Sequence, residues 1–416
     1  MTGTDWPERP AGPPGPPDAW PGPRPAGPPG GPAGELGLGL VGAGRFGARL
    51  LEAAAELPGL RPVAVADRAP DRAEALAAAR HLDACGPERL LNDPRVELVA
   101  IATPPGSHAE LTLAALRGGR HVFCEPPLAT TLEDATDVLA AAAGPDAPRL
   151  AVDAVLRRNP LYALVGRLGR AVLGPPRHVA LEDLAGDEQL GPDHWFWDRE
   201  ASGGIPVAHG VHFFDAAAWL LGSQPELVQA LEAARPDGRV DTFLATARHP
   251  GGATASYAHS FARPDRAESQ WTTLDWGEAA GGRLYGWVPV ELELDLRTDG
   301  AGLTAVQALA TNQQAAMAVP GYRPSGAERI TLELASRSQP GRWDLRLRAT
   351  LGGQAARARA HRESVRAGLA ALLAAITTGT TPAAPPADAW TSLATALAAQ
   401  QSATTGTVTR PSTLPK

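Results

Sequence analysis

The chain has 416 residues, 44% of them hydrophobic, and a formal net charge of -7. That length is too great for one ordinary core and predicts two domains. Lys and Arg are scattered, with no dense block for a phosphate backbone, which argues against nucleic acid as the main partner, though isolated Arg residues can still meet a phosphate or carboxylate.

Residues 1–34 hold 12 Pro and 8 Gly and are expected to form a disordered arm without fixed structure. Few cations and no apolar core stand there, unlike a signal peptide. From Gly37 onward, short apolar runs alternate with Ala-rich helical ones. Strands are predicted at Gly37–Gly42, Pro62–Asp67, Glu97–Thr103, His121–Cys124 and Leu150–Val155. Helices are predicted at Arg45–Leu57, Asp71–Arg80, Ser107–Arg117 and Leu132–Ala143. This alternation marks a parallel sheet covered on both faces.

Beyond Asn159 the texture changes. A helix at Leu161–Leu168 leads to a strand at Arg177–Leu181, then a polar, aromatic loop as far as Ser202. Val211–Leu220 reads as helix. Alternating runs follow at Thr242–Ala247, Ala253–Ser260, Thr272–Asp275, Arg283–Tyr285 and Val290–Leu296, with Thr331–Leu334 and Trp343–Ala349 extending or ending the set. They predict a mostly antiparallel sheet. Ala358–Thr377 is amphipathic, with Val365, Leu369, Leu372, Leu373 and Ile376 on one stripe, and Pro385–Gln400 is a last helix that Asp388 is placed to cap. The apolar string Leu369–Ile376 is far shorter than the roughly 20 residues that cross a bilayer, so no membrane partner is expected. Cys85 and Cys124 are the only cysteines. They give no disulfide framework and fit a reducing, cytoplasmic setting.

The first strand opens into Gly42-Ala43-Gly44-Arg45-Phe46-Gly47. Gly42 allows a tight turn, Gly44 clears a path for a pyrophosphate, and Gly47 lets helix and strand approach. Helix-start N–H groups then meet the phosphates, with Arg45 and Phe46 inside the turn. Asp67 ends the second strand, 25 residues past Gly42. It is placed to accept hydrogen bonds from the adenosine ribose, or else to cap the next turn. Together these features predict bound NAD. Arg68 is placed to pair with the 2′-phosphate of NADP and keeps that cofactor open. Thr103-Pro104-Pro105-Gly106-Ser107-His108 leaves the third core strand at its ligand-binding end. Its Pro pair stiffens the nicotinamide side, and His108 suits a structural or phosphate-side role better than proton transfer.

Gly42–Gly47, Ala102–His108, Gly119–Pro127, Gly203–Asp215 and Arg157-Arg158-Asn159-Pro160 together resemble the glucose–fructose oxidoreductase / inositol dehydrogenase / MocA family (Gfo/Idh/MocA), over about residues 36–405. The resemblance implies a Rossmann-type α/β domain and a second α+β domain with a mostly antiparallel sheet. It also implies redox chemistry on a sugar, cyclitol or specialised-metabolism intermediate. In that family Glu-Lys-Pro follows the fourth core strand, and its lysine reaches the substrate hydroxyl. Here the place reads Glu125-Pro126-Pro127. A second motif carries an aspartate, a histidine four residues on, and often a later aspartate. Here Ala208 takes the first place, while His212 matches the proton-transfer histidine and Asp215 the later acid.

Chemistry points the same way for the groups that remain. Histidine suits the single proton that accompanies hydride transfer. His209, three residues before His212, is an orienter or relay if the helix is already regular there. Asp215 either orients the imidazole or holds a neighbouring loop. Glu125 suits a contact with backbone or with the nicotinamide ribose, beside Pro126. Arg157 and Arg158 offer positive charge for a substrate acid, or a surface pair. His194-Trp195-Phe196-Trp197-Asp198-Arg199 invites a cyclic substrate by stacking, or forms a small satellite core. Tyr285 and Trp287 are further pocket candidates. His209 and His212 are too few to specify zinc, and Cys124 belongs to another segment.

The expected layout is a cofactor domain over 35–156 and a substrate and oligomer domain over 157–355. Helices over 356–408 then pack back on the first domain, and 409–416 form a tail. The expected function is hydride transfer between NAD(P) and a small polar cyclic substrate, with His212 carrying the proton. The alternatives are reduction of a C=N or C=C bond, and a catalytically inactive cofactor-binding partner or sensor. An apolar sheet face in need of cover predicts a homodimer or homotetramer through the second-domain sheet.

Overall fold

The computed structural model describes residues 34–187, 190–264 and 267–415. All but Gly34 of the expected N-terminal arm lies outside them. The first part of the chain runs β1 (Leu36–Val41), α1 (Arg45–Ala55), β2 (Leu60–Ala66), α2 (Pro70–Arg80), β3 (Asp83–Cys85), α3 (Pro87–Asn92), β4 (Leu98–Ile101), α4 (His108–Arg117), β5 (His121–Cys124), α5 (Leu132–Ala141) and β6 (Leu150–Val152). Its six strands are all parallel, in the order β3-β2-β1-β4-β5-β6. That is a Rossmann-type doubly wound sheet, whose ligand crevice lies outside the C-terminal strand ends. Leu38, Leu40 and the whole of Leu98–Ile101 are buried, as strands covered on both faces must be.

The chain continues through α6 (Pro160–Leu168), β7 (His178–Leu184), α7 (Arg199–Ser202), α8 (Val211–Leu221), β8 (Leu227–Ala234), β9 (Val240–Arg248), β10 (Thr254–Ser260), β11 (Ser269–Asp275), β12 (Ala280–Tyr285), β13 (Glu291–Thr298), α9 (Gly300–Thr311), α10 (Gln313–Ala316), β14 (Arg329–Gln339), β15 (Arg342–Thr350), α11 (Arg357–Thr378) and α12 (Pro386–Thr405). Nine strands pair in the order β14-β15-β13-β12-β11-β7-β10-β9-β8. Every pair is antiparallel except β7–β10. Strand alternation sends Leu292, Leu294 and Leu296 inward with Leu345 and Leu347.

The outer face is mixed: Leu231 of β8 and Leu244 of β9 are register partners and exposed, whereas the β13–β15 end is charged. Arg346 pairs with Asp295 at 2.7 Å, Arg297 with Asp344 at 2.8 Å and Arg348 with Glu293 at 3.1 Å, all on exposed or half-exposed positions. β3, α3, β8, α9 and α10 are elements that sequence patterning missed.

Two helices return to the first sheet. α11 packs on α1 and β6, burying Val365, Leu369 and Leu372. α12 packs on α5 and β6 but also on α8 and β8. Trp390 Nε1 donates to Thr136 Oγ1 at 2.9 Å on α5. Ser402 Oγ accepts the Ala230 N–H at 3.0 Å on β8, and Thr409, expected in the tail, pairs with Val228. Asp388 does not cap α12. Pro385 holds the cap position, and Asp388 accepts from Arg157 Nη1 at 2.6 Å.

Candidate active site

The glycine loop joins β1 to α1. Gly42 adopts φ +107°, and a Cβ there would lie 2.4 Å from Ala102 O. A Cβ on Gly47 would lie 1.9 Å from Gly42 O, so helix and turn meet only through glycine. At Gly44 nothing lies within 4 Å of the corresponding position, which leaves open space at the helix start. Asp67 accepts the Ala43 N–H at 2.8 Å through one oxygen and the Ala69 N–H at 2.9 Å through the other. It thus braces the loop and the start of α2 together. A carboxylate offers about four lone-pair sites, so capacity remains for ribose hydroxyls. Open space, helix-start donors and a spare acceptor fit a dinucleotide. Arg45 and Arg68 are exposed and Phe46 is half-buried.

The loop after β4 is tied down from within. Ser107 Oγ donates to Thr103 Oγ1 at 2.8 Å. Pro104 leads into the 3₁₀ turn Pro105–Ser107, where Pro105 is buried. His108 is buried, with Nδ1 2.7 Å from Pro127 O and Nε2 2.7 Å from Thr103 O. The ring ties the β4 loop to the β5 loop, and burial lowers its pKa. It is a structural histidine. The Pro126–Pro127 peptide is cis.

Cys124 of β5 registers with Val152 of β6. The next residues on each strand, Glu125 and Asp153, are therefore neighbours at the C-terminal edge. Burial, the charge of Asp153 and a hydrogen bond to it hold the Glu125 carboxyl well above the usual range. Burial raises Asp153 to about 7, against the opposing charge of Arg158. Two adjacent buried carboxyls retain a proton because they cannot both ionise at low cost. Burial lowers the pKa of Arg158 itself.

Pro126, Pro127 and Asp153 line a small pocket, faced from the far side by His212 and Asp215 of α8 and by Pro385 and Asp388. His212 is half-buried, its ring 5.1 Å from Trp287 and 5.9 Å from His209. Burial, then the nearby His209 and His361, push its pKa down to about 3. Trp287 also meets His361 of α11 at 6.1 Å, and His361 meets Phe46 of the glycine loop at 6.0 Å. A run of rings thus joins the cofactor loop to the pocket.

Several expected roles change. Asp215 does not orient His212. Its carboxylate takes Arg157 Nε at 2.7 Å and Nη2 at 2.5 Å. Arg157 is therefore committed to Asp215 and Asp388 and is no free anchor for a substrate. The segment Pro206–Gly210 is a π-type turn rather than regular helix, and it turns His209 towards Asp183 on β7, with 3.4 Å between Nε2 and Oδ2. The aromatic loop forms a satellite core and does not line this pocket. Phe196 packs edge-on against Phe261 at 4.9 Å, and Trp197 lies beneath Arg235 and Arg239 at 5.1 and 5.3 Å. Trp195 is exposed, His194 Nδ1 accepts the Phe196 N–H at 3.3 Å, and Arg199 pairs with Glu232 at 3.0 Å on the surface. Tyr285 faces outward and donates to Glu293 at 3.1 Å, because strand alternation sends Leu284 inward instead. Asp153, Asp183, His259 and His361 were missed. The available signal for Asp153 was an acid ending each of two neighbouring strands.

A glycine-turn dinucleotide domain followed by a large open-faced sheet defines a two-domain nicotinamide-dehydrogenase architecture. Residues 36–152 match the model of the Gfo/Idh/MocA oxidoreductase family, NAD-binding Rossmann fold, and residues 167–275 match the Gfo/Idh/MocA C-terminal domain. The chain belongs to this family. It is 30% identical over 187 residues to the 1,5-anhydro-D-fructose reductase of Ensifer adhaerens, covering 42% of this chain and 53% of that protein. It is 33% identical over 230 residues to the inositol 2-dehydrogenase 2 of Saccharopolyspora erythraea, covering 50% and 62%. The chain thus spans between half and two thirds of these curated relatives. In fold it is similar to levoglucosan dehydrogenase in complex with NADH and levoglucosan, with a TM-score of 0.71, 20% identity, and coverage of 91% of this chain and 99% of that one. No helix among the described residues is long and apolar enough to cross a membrane.

Proposed function

We propose that this chain is an NAD(P)-dependent oxidoreductase of a small polar cyclic substrate, a sugar or cyclitol, with His212 as its proton carrier. One observation carries the reading: Pro126, Asp153 and His212 converge on a single pocket at the ligand-binding edge of the parallel sheet. Relatives named as an anhydrofructose reductase, an inositol dehydrogenase and a levoglucosan dehydrogenase support the substrate class. When bound, the nicotinamide supplies or accepts the hydride.

The chain's own groups do the rest. Helix-start N–H groups of α1 hold phosphate charge. Asp67 keeps acceptors for ribose hydroxyls and favours NAD, with Arg68 next to it for NADP. Burial keeps His212 uncharged, the form with a lone pair for a hydroxyl proton, and also weakens it as a base. Asp153 and Glu125 hold a proton at the strand ends, which gives the pocket a second proton-handling group where Pro126 has none. Residues 35–156 carry cofactor and 157–355 carry substrate and assembly. Residues 356–408 brace the first domain and, through Pro385 and Asp388, close one wall of the pocket. The open outer face of the nine-stranded sheet, with Leu231 and Leu244 exposed on it, suits a homodimer or homotetramer. Pro126 and Ala208 favour a second reading, a cofactor-binding partner or sensor without turnover.

The test combines NADH and NADPH fluorescence titration with an exchange assay. Cyclic polyols, their ketones, and C=N and C=C acceptors are offered in both directions. Hydride exchange with a polyol–ketone pair supports the proposal. Exchange confined to C=N or C=C acceptors moves the reaction class. Cofactor binding with no exchange selects the sensor, and no binding removes the redox reading.

A further inference from the structure

A second group of side chains lies between β7, β10 and the turn ahead of α8. Asp183 and His259 are register partners in the parallel β7–β10 pair. Each takes the last inward place of its strand, after Val179 and Leu181 on β7 and after Ala255 and Tyr257 on β10, all buried. Inward alternate positions of a sheet normally continue apolar. Here they end in a carboxylate 1% exposed and an imidazole 0% exposed. His209 enters from the π-type turn, its ring 5.5 Å from that of His259. One ligand-type atom from each of the three residues lies within 4.8 Å of the others.

Both ring nitrogens of His259 are buried and, among the described residues, have no hydrogen-bond partner. A neutral imidazole has one N–H to donate and one lone pair to place. Leaving both idle in a buried site is unfavourable unless something else engages them. The neighbours are rings: Phe213 lies 4.7 Å and Phe243 6.2 Å from His259. The carboxylate is already oriented. Gln270 Nε2 donates to Asp183 Oδ1 at 2.7 Å, and Arg357 Nη1 donates to Gln270 Oε1 at 3.2 Å. That leaves Asp183 Oδ2 turned to His209. A hydrogen-bonded amide behind a carboxylate is the outer support that metal ligands commonly have.

We propose that Asp183, His209 and His259 bind one divalent transition-metal ion, with a further position left for water. Two imidazoles and one carboxylate suit zinc, cobalt or ferrous iron, whereas magnesium and calcium prefer oxygen ligands. Binding requires the two imidazoles to turn so that all three atoms come to bonding distance of one ion. The site sits one side chain behind His212, whose ring meets His209 at 5.9 Å. A cation there places positive charge behind a pocket that lacks the family's lysine.

The full-length protein, stripped with a chelator and titrated with Co²⁺, tests this. The expected result is visible ligand-field absorption that saturates at about one ion per chain. Asp183→Asn and His259→Gln should each weaken binding at least about tenfold. Gln270→Leu keeps all three ligands, removes only their outer support, and should weaken binding about tenfold. Circular dichroism confirms folding of each variant. If His259→Gln does not fold, Asp183→Asn and Gln270→Leu carry the test. No Co²⁺ uptake by the folded parent, or uptake undiminished in the folded variants, overturns the proposal. NADH titration of the same stripped sample separates this outcome from failure of the redox reading, since neither depends on the other.

Discussion

Asp153 and Glu125 meet where two strands end side by side, and burial sets their chemistry. An unfolded aspartate loses its proton near about 3.9, whereas Asp153 in the fold does so at about 7. Between those values the folded state binds more protons than the unfolded one. The pair's contribution to stability is therefore full below the lower value and declines as pH rises through the upper. Arg158 opposes the shift, and the Arg157–Asp215 pair lies on the next turn of chain. Asp153→Asn should thus gain in urea midpoint relative to the parent as pH goes from about 4 to about 8. A difference that stays flat with pH contradicts the buried pair. His212→Asn should lower turnover at least about 10-fold while NADH affinity holds, and unchanged turnover removes His212 as proton carrier. The tight turn at Gly42, the open space at Gly44, the close approach at Gly47 and the bracing acid Asp67 were legible because each stands at a fixed offset within a local motif. Asp153, Asp183 and His259 were not. Each is an ordinary polar residue after apolar ones until strand register gives it a neighbour.

Among the elements, α8, α12 and the turn Leu156–Arg158 are pinned by one guanidinium. The Arg157 side chain is 10% exposed and holds both Asp215 and Asp388. Removing one partner of a buried pair leaves uncompensated charge, so Arg157→Met should cost about 3–5 kcal/mol in urea unfolding. A loss under about 1 kcal/mol marks the cluster as solvent-screened. Parallel strands were the easiest elements to read, since runs such as Leu98–Ile101 are apolar throughout. β8 was missed because Leu-Val-Gln-Ala-Leu-Glu-Ala-Ala favours helix, and pairing with β9 and Thr409 overrides that preference. α9 was missed because Gly300 and Gly302 weaken its pattern. Asp299, which accepts the Gly302 N–H at 2.9 Å, was the signal that marks its start. The aromatic loop was left open between a stacking site and a satellite core, because stacking rings serve either, and its packing is that of the satellite core.

For the whole molecule, the outer face of the nine-stranded sheet carries charge at its β13–β15 end and exposed Leu231 and Leu244 at its β8–β9 end. Association through the charged end would be electrostatic and would weaken with salt. Light scattering should give a mass of two or four chains at low salt that falls as salt rises, and a single-chain mass at low salt rejects this interface. The rings of Phe46, His361, Trp287 and His212 span from the glycine loop to the pocket wall. On the proposed function, a nucleotide on the loop would lie against the first of them and the reactant against the last. Initial-rate patterns should therefore show compulsory order, with the nucleotide first on and last off, and dead-end inhibition by a reactant analogue should be uncompetitive towards the nucleotide.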